Sequence, residues 1–429
     1  MGIKAGFAEA DITPQDWPVR KYGGLRKTVY AHWACDPPCA RAAVFEADGK
    51  RIAIVSLDIV IIEWEHVQAI RAEAQQRLGI PPENVLVCAT HNHSCAAVIT
   101  RPVFDREEAY LEFMREQAVA ALETACERLT DVSVGMASGF EGRVSFNRRF
   151  IMRDGTIKTL PKRADPNIRH VEGPIDPEIA TICCKDSEGR VVGVLVNFAC
   201  HATHRMGGDM LSAGYPGALC RRVREAFGVW CTCVFLNGAC ANLIHINLSD
   251  PDYIDDPEHI GRVLAADAVR LIEGMEFSSE LDVDARAADI RLPLRDFSAL
   301  EEDIKRSGFT DPLLAGVDVY EASLQILKDI RAERDYEPAQ VQVLRIGDVA
   351  LACIPAEYFT EHGLRIKMQS PIEKTLVVSL ANGWVGYVPT VEAFARPCGH
   401  ETTSALWSKL IPEAGDMLAD TAMQLLGEL

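Results

Sequence analysis

The chain reads as an α/β protein, and three observations point that way. Strand-like and helix-like periodicities alternate along it, with no internal repeat, low-complexity tract or Ser/Gly linker between them. Short apolar strands are joined repeatedly by glycine-bearing turns. With 48% hydrophobic residues in 429, there is enough apolar side chain to repay the entropy of folding a large core.

Taken in order, Ala42–Glu46 and Arg51–Ile62 flank the turn Ala-Asp-Gly-Lys and form a hairpin, its glycine placed where positive φ is required. Trp64 to Leu78 has helical spacing and is closed by Gly79, with Pro81 beyond it. Asn84–Thr90 is a short buried strand. Glu107–Leu129 carries Tyr110, Phe113, Met114, Ala118, Ala121 and Leu122 on one helical face. Hairpins follow at Arg149–Leu160, and at Ile179–Cys184 with Val191–Phe198. Tyr215–Phe227 is a helix with Pro216 in its first turn, and Trp230–Leu236 is a buried strand. Helices are expected over Asp256–Gly274 and Val319–Arg334. The strands Val341–Arg345 and Val349–Ile354 pair around Ile-Gly-Asp, Glu357 opens a helix after Pro355, and Pro412–Leu426 is a final amphipathic helix. At roughly 150 residues per domain the length suggests about three units. The acidic stretch Leu281–Pro312 is the best place for a boundary.

Charge narrows the function. Lys and Arg number 44 against 62 Asp and Glu, a net charge of −18 that repels nucleic acid and anionic membranes. The opening MGIKAGFAEADITP lacks the apolar segment of a signal peptide, and no apolar run is long enough to span a bilayer. The fourteen cysteines fall mostly within apolar runs and behave as small hydrophobes; a secreted disulfide framework would be shorter and denser. A cytoplasmic enzyme with a small-molecule substrate is expected, with no nucleic-acid or membrane partner; a homo-oligomer is left open.

Four segments carry chemistry. Thr90-His91-Asn92-His93-Ser94 follows a buried strand, and residues i and i+2 of an extended segment project to one side. Asn197-Phe198-Ala199-Cys200-His201-Ala202-Thr203-His204 also ends a strand with histidine at its exit, as α/β sheets build sites. His204 alone reads equally as a residue behind such a site or facing solvent. Cys353-Ile354-Pro355-Ala356-Glu357 sets a carboxylate at a strand-to-helix junction, where it would suit either a metal or the helix dipole. Gly383-Trp384-Val385-Gly386-Tyr387-Val388-Pro389-Thr390 has the glycines of a close backbone approach, and Tyr387 by itself reads as core.

These segments, in this order, resemble the catalytic domain of the neutral/alkaline (non-lysosomal) ceramidase family. So do Gly6-Phe7-Ala8-Glu9-Ala10-Asp11-Ile12-Thr13-Pro14 and Val55-Ser56-Leu57-Asp58, and the likeness runs from residue 6 to about 427. It implies mixed β-sheets layered with helices, in one catalytic domain spanning 1–429. It implies Zn2+ held by His91, His201, Glu357 and Tyr387. His93 matches an active-site histidine suited to orient substrate or move a proton, and Arg148 an arginine suited to a developing oxyanion. Arg149 is an equally good match.

The sequence also departs from the family. Where the family carries an aspartate and its catalytic serine, this chain reads Asn237-Gly238-Ala239-Cys240-Ala241-Asn242-Leu243-Ile244-His245, with Asn242 and Ile244 in those places. Another acidic position becomes Gly214, and the family's C-terminal immunoglobulin-like domain has no counterpart. The expectation is a zinc-dependent hydrolase attacking a soluble amide with metal-bound water. His204, Asn242, His245 and Cys240 are candidates for contacting substrate. An ester, lactone or glycoside is the alternative bond, and a non-catalytic zinc protein binding a small ligand is the alternative class. A redox protein fits less well, because no Cys-x-x-Cys opens a helix.

Overall fold

The structure, a computed structural model, describes residues 2–22, 28–101, 104–297, 316–396 and 398–429. Its largest sheet has eight strands. Their order is Thr232–Asn237, Val191–Phe198, Glu178–Asp186, Thr130–Phe140, Lys4–Asp11, Cys39–Ala47, Lys50–Leu57 and Val85–Ala89. Most neighbours are antiparallel, but the two outermost pairs are parallel, Lys50–Leu57 with Val85–Ala89 and Val191–Phe198 with Thr232–Asn237. A second sheet orders Val283–Pro293, Tyr336–Ile346, Val349–Ile354 and Lys374–Ser379, and its last pair is again parallel.

Alternation of side chains along the strands decides the layering. In the large sheet Val44, Val55 and Val87 face the helices Trp64–Leu78 and Glu108–Glu127, meeting Val67, Ile70, Leu111 and Met114. Phe45, Ile54 and Leu86 point the opposite way, into a cluster shared with Val283, Leu344, Leu351 and Leu376 of the second sheet. The outer face of that sheet packs on the helices Gly316–Glu333, Thr360–Gln369 and Ala414–Leu426 through Leu327, Ile366 and Leu418. The layers therefore run helix, sheet, sheet, helix, the expected mixed sheets layered with helices.

Most elements lie within a few residues of their expected ends, for reasons visible at the termini. Trp64–Leu78 stops at Gly79, whose φ of +67° is left-handed. Pro257–Glu273 begins behind Asp256, whose carboxylate accepts a hydrogen bond from the Glu258 N–H. Two expectations are corrected. The described part of Leu281–Pro312 is not a linker along its length; it holds the strand Val283–Pro293, paired along its whole 11-residue length with Tyr336–Ile346. The remainder of that stretch, from residue 298, lies outside the described residues. Glu357 does not open a helix either; it belongs to the short strand Glu357–Tyr358, and the helix starts at Thr360.

Candidate metal centre and active site

The parallel strand pairs of both sheets send their carboxyl ends to one place, where α/β sheets build sites. The sheets are tied together there. Cys88 bridges Ala381, the Val87 N–H donates to Asn382 Oδ1 at 3.0 Å, and the Asn197 amide donates to both Leu236 O and Val377 O at 2.9 Å. Asn92 forms a parallel bridge with Ala202, and the His93 N–H donates to Ala202 O at 3.0 Å. That bridge sets His91 and His93 beside His201. A second parallel pair, Glu357 with Tyr387, brings the carboxylate beside the phenol, and this pairing displaces the expected helix start. Gly386 makes it possible: its φ is +98°, and a Cβ there would lie 2.6 Å from Trp407 O.

Nitrogen and oxygen lone pairs converge at the centre. His91 Nδ1 lies 2.7 Å from Val60 O and His201 Nδ1 lies 3.2 Å from Cys240 O. Each Nδ1 therefore carries the hydrogen it donates to a carbonyl, leaving both Nε2 atoms as acceptors. Those two acceptors are 2.8 Å apart, and His93 Nε2 is 3.3 Å from His91 Nε2. Glu357 Oε2, buried and without a hydrogen-bond partner, sits 3.4 Å from His91 Nε2 and 3.8 Å from His201 Nε2. Its other oxygen accepts from the Trp384 indole at 3.0 Å. Burial raises the Glu357 carboxyl, but without a metal a proton taken up by His91, together with the Tyr387 hydroxyl and Arg148, outweighs burial and holds it at about 2. Mutually facing acceptors beside a buried carboxylate are what a cation needs. Tetrahedral ligands about 2.0–2.1 Å from zinc stand roughly 3.3 Å from one another, and the three ligand-atom separations here, 2.8, 3.4 and 3.8 Å, bracket that value. The donor set fits a divalent metal. His91 itself has a φ of +64°, a strained setting for a non-glycine residue.

Arg148 closes another side. Its Nη2 donates to the Tyr387 hydroxyl at 3.0 Å, Nε donates to Glu401 Oε1 at 2.8 Å, and Nη1 lies 3.3 Å from His201 Nε2. Arg149, the next residue, turns away; it donates to Glu401 Oε2 at 2.6 Å and to Glu172. Geometry thus separates two arginines that motif matching leaves equal. Burial drives the Tyr387 hydroxyl well above the ordinary phenol range, opposed by Arg148. It drives the His93 and His201 imidazoles well below theirs.

The other candidates lie beside this cluster or behind it. His204 and His245 stack at 3.5 Å between ring centroids and share Asp255, with nitrogen-to-oxygen distances of 2.9 and 2.7 Å. Thr203 Oγ1 lies 2.8 Å from His245 Nε2. These two histidines form a second cluster of their own. Asn242 is occupied as scaffold: its Oδ1 accepts from the Thr360 N–H at 2.9 Å and its Nδ2 donates to Glu361 at 2.8 Å. Cys240 supplies the carbonyl that orients His201, while burial pushes its thiol well above the usual range, away from a nucleophilic thiolate. Ile244 is buried in a two-stranded pair with Phe146–Asn147. Glu401, Trp384 and Asp255 complete the surroundings, and sequence reasoning missed all three. Trp384 alone had a signal, its place between the two glycines of a segment already singled out.

No family model matches the chain. Among solved structures it aligns with the crystal structure of neutral ceramidase from Pseudomonas aeruginosa at a TM-score of 0.75 and 23% identity, covering 100% of this chain and 75% of that one. A ceramidase complexed with C2 aligns at a TM-score of 0.77 and 22% identity, covering 99% and 75%. The fold is therefore that of the neutral ceramidases. In sequence, the chain is similar to the neutral ceramidase of Pseudomonas aeruginosa, 25% identical over 468 aligned residues, or 92% of this chain and 68% of that protein. The resemblance carried by the motifs thus extends along nearly the whole chain.

Proposed function

We propose that the protein is a zinc-dependent hydrolase of a soluble amide, built as one catalytic unit. The observation that carries this reading is the convergence of the His91 and His201 Nε2 acceptors on the unpartnered Glu357 oxygen, beside Tyr387 and Arg148. The relatives are ceramidases by name, which supports a hydrolase acting on an amide bond. A zinc ion held by His91, His201, Glu357 and Tyr387 would polarise a carbonyl and lower the pKa of bound water toward about 7.

The chain's own residues supply the rest. Neutral His93, whose Nε2 lies 3.3 Å from His91 Nε2, would accept a proton from the attacking water and return it to the leaving nitrogen. Arg148, which donates to the Tyr387 hydroxyl, would stabilise negative charge developing on the carbonyl oxygen. Glu401 fixes the Arg148 guanidinium, and Trp384 fixes the Glu357 carboxylate. With Ile244 where the family has its serine, attack by water needs no covalent intermediate.

The −18 charge favours a soluble substrate over a membrane lipid, and fourteen cysteines lying mostly within apolar runs suit a reducing, cytoplasmic compartment. No described helix is long and apolar enough to cross a membrane. The apolar cluster shared by both sheets supports a single unit. The test is hydrolysis of a panel of soluble amides, esters and glycosides with and without chelator. Amide cleavage lost on zinc removal and restored by zinc is expected; cleavage that survives complete zinc removal would contradict the mechanism, and zinc retention with no cleavage would favour a ligand-binding protein.

A further inference from the structure

Arg101 is 6% exposed, yet no carboxylate pairs with it among the described residues, and its Nε is buried without a hydrogen-bond partner. Its guanidinium carbon lies 4.6 Å over the Trp384 ring and 6.0 Å from the centre of the Tyr22 ring. Both rings touch the candidate metal centre: Trp384 donates to Glu357 Oε1 at 3.0 Å, and Tyr22 packs edge-on against His93 at 5.3 Å. Arg101 therefore stands one side chain out from the cluster on two sides. Its charged neighbours are committed elsewhere. Glu63 pairs with Arg106 at 2.7 Å, and Lys409, 5.8 Å from the centre of the Trp384 ring, pairs with Glu337 at 3.2 Å.

A buried guanidinium with no anion is costly, because it has lost water without gaining a counter-charge. Ring faces offset part of this. The Trp384 ring lies over the guanidinium and the Tyr22 hydroxyl takes one hydrogen bond from it, while the unpartnered Nε side of its edge still offers N–H donors that match the oxygens of a carboxylate. We propose that Arg101 is an anion subsite for a carboxylate on the substrate, so that the molecule recognised is an N-acyl amino acid or a similar amide bearing one carboxylate near the scissile bond. The inference rests on the amide-hydrolase reading for attaching the carboxylate to an amide; the anion subsite itself does not depend on cleavage.

The experiment uses the protein as purified and two non-cleavable probes, N-octylsulfonylglycine and its uncharged glycinamide counterpart, with binding measured by calorimetry. The wild type is expected to bind the carboxylate about 10- to 100-fold more tightly than the amide, the range for a charge-assisted hydrogen bond. Arg101→Met, which keeps the packing on Trp384, should abolish that preference while leaving the uncharged probe within about twofold. Arg101→Lys should keep part of it. Cooperative melting of Arg101→Met, at or above the wild-type temperature, checks that the fold is retained. Equal binding of both probes by the wild type, no binding of either, or an unchanged preference in Arg101→Met would overturn the subsite. An intact, Arg101-dependent preference without zinc-dependent amide cleavage would instead overturn the hydrolase reading and leave the subsite standing.

Discussion

Two buried histidine clusters lie side by side in this molecule, and they are assembled differently. His201 and His204 leave the same strand three residues apart. His201 meets His91, His93 and Glu357, delivered from strand ends of both sheets, and its Nε2 faces another acceptor at 2.8 Å. His204 meets His245 and Asp255, both from one loop region, with the rings stacked at 3.5 Å and tilted 21°. In both clusters an acid of the chain lies within ion-pair distance of two rings, Asp255 at 2.9 and 2.7 Å in the second and Glu357 at 3.4 and 3.8 Å in the first. In the first, lone pairs and a carboxylate crowd together and call for a cation. His204, His245 and Asp255 also bring three donor atoms together, so what separates the two clusters is the acceptor-to-acceptor contact of 2.8 Å in the first, beside Glu357, Tyr387 and Arg148.

The largest effect that would test this contrast is on metal content. His91→Ala with His201→Ala should abolish zinc binding and all hydrolysis, whereas Asp255→Asn should keep its zinc; loss of metal in Asp255→Asn alone would erase the distinction. Next comes Arg148→Met, expected to lower kcat about 10²- to 10³-fold with zinc retained, the loss typical of a removed oxyanion donor. Arg149→Met should instead lower stability, because Glu401 and Glu172 lose a buried partner. A comparable kcat loss in both arginine variants would show that the geometric separation does not matter.

Asp255→Ala should cost about 1–3 kcal/mol in urea unfolding, leaving two buried imidazoles without their acid, and change kcat less than threefold. The smallest effect concerns pH. Burial alone would raise the Glu401 carboxyl, but Arg148 and Arg149 hold it at about 2, below its ordinary 4.5. Stability from a carboxyl with a depressed folded pKa is present above about 4.5 and is lost as pH falls toward 2. Urea midpoints of metal-free protein should fall across that window, and less steeply in Glu401→Gln.

Much of this was legible in the chain. Local periodicity places strands and helices, so His91 and His201 announce themselves as histidines at strand exits, and Gly386 as a close approach. Partners distant in sequence leave no local trace: Arg148 and Glu401 are 253 residues apart. Arg148 and Arg149 look alike in a motif and differ only when successive side chains take opposite directions. Glu357 looks like a helix start until Tyr387 is beside it, because a two-residue parallel pairing carries no periodicity of its own. Arg101 looks like one basic residue among many, since its isolation is a property of what surrounds it.

The central claim is that the first cluster, and not the second, holds the metal. Its most direct test is anomalous diffraction at the zinc edge from crystals of the protein as purified, with zinc content measured by mass spectrometry. The account predicts one zinc per chain, lying between His91 Nε2, His201 Nε2 and Glu357, and none beside Asp255. Zinc bound at His204, His245 and Asp255, or a fully active protein containing no zinc, would contradict it.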